Sequence, residues 1–182
     1  AFVAGRPTLA MVDRTTGFGF ARFVKHKGAA TMRADDQVLR ALKEWLLHLG
    51  HVQVIIQTDD ESSIIASMRL VIEQVAGELA TDEGHPMKRI SMRTTQGYSS
   101  GSNGGVERFI GTVKGLFRTY NTHVAQKLSE PAMTVGMPIC DWSLHHAVWV
   151  YNHVCVAQVD KRTPYQRLRG KLYTTKVFEF AS

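Results

Sequence analysis

Residues 52–57, Val-Gln-Val-Ile-Ile-Gln, are a strand-length apolar run between two stretches of helical period. That alternation limits the possible folds more than any other feature of the sequence. On one side, Val38, Leu42, Trp45, Leu46 and Leu49 share a helical face, with Asp35 or Asp36 as N-cap and Gly50 as the stop. On the other, Ser62 or Ser63 caps a second helix with Ile64, Met68, Val71, Ile72, Val75 and Leu79 toward the core. A buried strand enclosed by helices is the unit of an α/β layer, in which helices cover a sheet.

Other segments supply the remaining strands and helices. Residues 8–12, Thr-Leu-Ala-Met-Val, read as a short buried strand ending at Asp13. Arg14-Thr15-Thr16-Gly17 is a turn, and residues 18–24 form a second strand, so the two make a hairpin. Residues 81–86 are a polar loop. Residues 87–94 alternate, with Ile90 and Met92 on one face and Arg89 and Arg93 on the other, as in a half-buried edge strand. Residues 96–105 hold the densest run of glycine and serine. Ser102 or Asn103 then opens a long helix with Val106, Phe109, Ile110, Val113, Phe117, Tyr120 and Val124 inward. Residues 131–138 break the pattern, a further helix covers about 142–156, and the tail after Lys161 is basic and less regular.

A chain of 182 residues suits one domain, here read as spanning 1–182 with its core at about 8–172. No apolar run approaches the roughly 20 residues needed to cross a bilayer. The N-terminus lacks the features of a signal peptide and has no initiator Met, so we expect a segment cut from a longer chain. Charge is uneven: residues 1–100 carry 12 Lys/Arg against 11 Asp/Glu, whereas residues 101–182 carry 10 against 5. A basic second half suits a polyanionic partner.

Two acids stand where strands run out, Asp13 and Asp59, and a third, Glu107, lies in the first turn of the long helix. Carboxylates on rigid elements suit hard divalent cations, which prefer oxygen ligands. Each acid also has a plain reading: Asp after a strand forms turns, and Glu at a helix start meets the helix dipole. Cys140 and Cys155 are read as small buried thiols. With His145, His146 and His153 they lack the paired spacing of a zinc site, so these are ordinary helix residues.

The motifs around the three acids resemble the integrases of retroviruses and LTR retrotransposons. LAMVDRTTGFGFARFV is similar to the first strand pair of that family, and VIIQTDDESS to its second motif. GYSSGSNGGVERFIGTVKGLFR resembles the third, a flexible loop leading to Glu-Arg on a helix. WVYNHVCVAQVDKRTPYQRLRGK resembles the distal segment, and is closer to copia-type or related LTR elements than to retroviruses. The resemblance implies an RNase H-like α/β fold, a mixed sheet flanked by helices. It implies a polynucleotidyl transferase that joins element cDNA ends to target double-stranded DNA with two Mg²⁺ (or Mn²⁺) ions. Asp13 would touch both ions, and Asp59 and Glu107 one each. It further implies a homo-oligomer acting in the nucleus after a cytoplasmic particle stage.

Lys114, seven residues after Glu107 and so on nearly the same helix face, matches a DNA-contacting lysine of the family. Arg118 extends this strip, and Gln96, Tyr98 and Asn103 are candidate contacts to the DNA end. Two departures stand out. The interval between Asp59 and Glu107 holds 47 residues, longer than usual, and Asp60-Glu61 replaces the customary Asn-Gly. Glu73, Glu78, Asp82 and Glu83 are alternative third acids, though none precedes an Arg-Phe-Ile helix pattern. The rival readings are a cut-and-paste transposase of the same fold and a decayed domain that binds DNA without catalysis.

Overall fold

The chain divides into two compact units, one made of residues 1–25 and 103–182 and the other of residues 26–102. A computed structural model describes residues 1–24, 37–58, 62–81, 89–94, 104–128 and 136–175.

In the first unit, β1 (Phe2–Val3), β2 (Arg6–Val12) and β3 (Gly19–Phe23) form an antiparallel sheet in that order. The register pairs Thr8 with Phe23 and Val12 with Gly19, so the expected hairpin is present, and β1 adds an unforeseen third strand. Two helices pack on this sheet: α3 (Gly104–Leu128) against β2 and α4 (Pro138–His153) against β3. Their apolar faces meet the sheet in one core of Val3, Ala21, Phe109, Val113, Phe117, Val124, Leu144 and Ala147. Phe109 is 1% exposed, and emptying such a site costs about 3–5 kcal/mol.

The start of α4 and the tail depart from the sequence reading. Pro138 opens α4 instead of extending the break before it. A proline at the first helical position loses no hydrogen bond, because that N–H has no partner within the helix. The tail after Lys161, expected to be irregular, contains α5 (Pro164–Arg169). Thr163 accepts from the Gln166 N–H while the Gln166 side chain accepts from the Thr163 N–H, a reciprocal cap. Gly170 ends the helix in the left-handed conformation at φ 69°.

The second unit holds α1 (Gln37–Leu49), β4 (Gln53–Thr58), α2 (Ser62–Thr81) and β5 (Arg89–Thr94). Strands β4 and β5 are parallel, with α2 as the crossover between them. Leu39, Leu42, Leu46 and Leu49 of α1 and Met68, Val71 and Val75 of α2 are buried. β4 is less buried than its composition suggests. Ile55 is 65% exposed while Val54 and Ile56 are half-buried, so apolar cover reaches one face of the strand. β5 alternates as expected, with Ile90 and Met92 half-buried between exposed neighbours.

Candidate active site

Asp13 leaves the end of β2 and organises the turn that follows it. Its Oδ1 accepts from the Thr15 N–H at 3.0 Å, and its Oδ2 accepts from the Thr16 N–H at 3.2 Å and from the Thr16 hydroxyl. The turn is closed by the Gly17 N–H donating to the Asp13 carbonyl at 2.7 Å. Gly17 has φ 79°, which a residue without Cβ adopts at no steric cost. These bonds fix the orientation of the carboxylate.

Glu107 lies in the first turn of α3 and is exposed. The packing below it explains its position. Phe109 presses on Gly19 so closely that a Cβ there would stand 2.3 Å from Phe109 Cε2. Gly19 is the strand partner of Val12, the residue before Asp13. The end of the hairpin from which Asp13 emerges is therefore the end on which the start of α3 rests. Asp13 and Glu107 thus belong to one end of one unit.

Two further residues hold this end together. Asn152, 3% exposed near the end of α4, accepts from the Gly19 N–H and donates to the Gly19 carbonyl, each at 2.8 Å. Tyr151 meets Phe109 edge-on with ring centroids 4.8 Å apart. Burial and then Cys155 push the Tyr151 phenol up, while the nearby Arg108 and Arg167 guanidinium groups pull it down. Below the turn, Pro164 and Arg167 of α5 lie 3.8 and 3.7 Å from where a Cβ on Gly17 would stand. Arg167 is itself gripped by Asp160, Nε to Oδ2 at 2.9 Å and Nη2 to Oδ1 at 2.7 Å. None of these supporting residues follows from catalytic-residue reasoning. The signal present is the distal segment WVYNHVCVAQVDKRTPYQRLRGK, legible as a family resemblance without a role for its residues.

Of the expected site residues, Lys114 is half-buried and Arg118 exposed along α3 beyond Glu107. Asp59, Gln96, Tyr98 and Asn103 lie outside the described residues. Among the described residues, no three His, Cys, Asp or Glu side chains gather closely enough to hold a metal ion. Asp13 and Glu107 are hard oxygen donors, the donor type a Mg²⁺ site uses. Glu73, one of the alternative acids, is exposed on α2. Three of the residues weighed for zinc sit in packing contacts. Cys140 is buried in the core, and His146 and His153 stack against Trp149 on α4.

Comparison with known structures decides the architecture. A chain in the structure of the simian T-cell lymphotropic virus intasome in complex with PP2A regulatory subunit B56 gamma superposes with a TM-score of 0.63. The match has 21% identity and covers 99% of the present chain and 56% of that one. The catalytic core domain of BIV integrase follows at 0.60 and 17% identity, with 91% and 87% coverage. The HTLV-2 integrase catalytic core domain in complex with magnesium, in a trimeric form, gives 0.56 and 18%, with 88% and 82% coverage. The fold is that of a retroviral integrase core. The expected RNase H-like architecture is thereby met, with antiparallel and parallel strand pairs and flanking helices. The present chain spans just over half the length of the intasome chain, and more than four-fifths of the two integrase cores. No protein-family model and no curated protein matches the sequence.

Proposed function

We propose that this chain is the catalytic core of a retroelement integrase, a polynucleotidyl transferase that joins cDNA ends to target duplex DNA. Its integrase-core fold supports this reading, together with the placement of Asp13 and Glu107 at the shared Gly19–Phe109 end of one unit. Asp13, Asp59 and Glu107 would hold two Mg²⁺ or Mn²⁺ ions, Asp59 on the strength of its motif after β4. The bound magnesium of the HTLV-2 core is consistent with that choice of ion. When bound, the ions would activate the attacking water or 3′-hydroxyl and stabilise the leaving oxygen of the phosphodiester.

The protein's own part is to hold and orient. The Thr15 and Thr16 bonds keep Asp13 aimed, and the first turn of α3 carries Glu107. Lys114 and Arg118 follow on α3 as contacts for DNA phosphates, and Gln96, Tyr98 and Asn103 as contacts for the DNA end. By the same resemblance, the core would self-associate and act in the nucleus.

The test is a joining assay in which a blunt linear duplex and a supercoiled plasmid are incubated with Mg²⁺ or Mn²⁺. The wild type should yield joined products, and Asp59→Asn should yield none while still binding duplex. Asp59→Asn joining at the wild-type rate would remove that residue from the mechanism. Asp60-Glu61 beside Asp59 favours a second reading, a domain that binds DNA without catalysis. Duplex binding by the wild type with no joining in either metal would select it.

A further inference from the structure

We propose that the segment around α5 is a contact surface for the phosphate backbone of duplex DNA, set against the Asp13 turn. The duplex as partner rests on the integrase reading, whereas the surface itself rests on the following observations.

Lys161, Arg162, Arg169 and Lys171 are all exposed, two before α5 and two at its end. The one acid between residues 158 and 173 is Asp160, and Arg167 grips it through two hydrogen bonds. Positive charge therefore dominates this surface, with the local carboxylate already committed to an internal partner. The cations are also well supported. The reciprocal Thr163–Gln166 cap fixes one end of α5 and the left-handed Gly170 fixes the other. Two backbone bonds, from Ala157 N–H to the Arg162 carbonyl and from Lys161 N–H to the Ala157 carbonyl, both 3.0 Å, close the preceding turn. A charge held on a fixed frame loses less entropy on binding than one on a free tail.

Lys161 donates from Nζ to Gln158 Oε1 at 2.9 Å, which holds its ammonium group at the surface. Lys161 has φ 56°, a left-handed conformation that glycine adopts with less strain. A lysine there brings its charge at some conformational cost. Placement points to the partner. Pro164 and Arg167 rest against Gly17, so the basic surface adjoins the turn that Asp13 organises. Six helical residues rise about 9 Å, so α5 sets about that length of helix between the two cation pairs. That separation is comparable to the major groove, about 12 Å across, so the pairs suit phosphates on either side of it.

The experiment measures binding of the whole chain to a fluorescent duplex of arbitrary sequence, in EDTA, at several KCl concentrations from about 50 to 200 mM. Each phosphate contact contributes about 0.9 to the slope of log affinity against log salt. The fourfold variant Lys161→Gln, Arg162→Gln, Arg169→Gln, Lys171→Gln should lower that slope by about 2–4. Lys161→Gly should lower it by about 1 with an unfolding midpoint equal to or above that of wild type. Wild-type slopes in both variants would overturn the proposal, and so would tighter binding of a single strand than of the duplex. Lys161→Gly keeps the test decisive if the fourfold variant folds poorly. Because no metal is present, the outcome is separate from catalysis. A wild type that binds with the expected slope but never joins DNA overturns the integrase reading alone. One that joins DNA while the variants keep its slope overturns this surface alone.

Discussion

Asn152 and Gly19 exchange two hydrogen bonds across 133 residues of chain, each 2.8 Å long. The side-chain amide thus serves the outer edge of β3 as a neighbouring strand would, and ties the end of α4 to the hairpin that carries Asp13. Replacing Asn152 with Ala leaves a buried N–H and a buried carbonyl without this partner. The expected loss is roughly 2–5 kcal/mol, read as a lower urea midpoint. Asn152→Asp should be no better, because a carboxylate cannot donate to the Gly19 carbonyl. Wild-type stability in Asn152→Ala would show that this contact carries little.

Gly19 also sets how closely α3 approaches the sheet. Gly19→Ala places a Cβ 2.3 Å from the Phe109 ring, and overpacking of this kind costs about 1–3 kcal/mol. Trimming the ring should relieve the clash. In a double-mutant cycle, Phe109→Leu and Gly19→Ala together should cost less than the two single changes added. Additive losses would mean that the ring shifts freely and does not fix the start of α3.

The Asp160–Arg167 pair gives a defined acid response. The Arg167 guanidinium holds the Asp160 carboxyl down to about 2, against 3.8 in the free side chain. A depressed folded value means that the stabilisation is complete above about pH 4 and disappears as pH falls toward 2. The gap in thermal midpoint between wild type and Asp160→Asn should therefore be constant above pH 4 and close below it. A gap independent of pH across that window would contradict the pairing.

His153 responds at higher pH. Burial lowers its pKa below the usual histidine range, partly offset by its Nδ1–H bond to the Trp149 carbonyl at 2.8 Å. The unfolded chain then takes up the proton first, so stability carried by the neutral ring is complete above about pH 6.5 and drains below it. His153→Phe keeps an aromatic ring against Trp149, Tyr165 and Tyr173 without the titration. Its unfolding midpoint should fall less steeply than that of wild type between about pH 6.5 and 5. Parallel curves would show that His153 titrates alike in both states.

Much of the architecture was legible because apolar period and turn chemistry are local. The 3.6-residue spacing of Phe109, Ile110, Val113 and Phe117 gave the buried face of α3, and the Asp13-to-Gly17 turn followed from its residue types. What escaped was set by tertiary contact. Ile55 looks like core by composition, yet it lies on the uncovered face of β4. Pro138 looks like a breaker, but breaks a helix only from within it. Asn152 is polar in an apolar stretch, and its role depends on a glycine far away in sequence. The motif acids were readable through family resemblance, while Asp59 lies outside the described residues.

The proposed function has Asp13, Asp59 and Glu107 as ligands of divalent metal. Mn²⁺ binding followed by electron paramagnetic resonance tests it most directly, with wild type beside Asp13→Asn, Asp59→Asn and Glu107→Gln. Saturable binding by the wild type is expected, weakened about tenfold or more by each substitution with the fold retained. Binding by all three variants as tight as that of the wild type would contradict it.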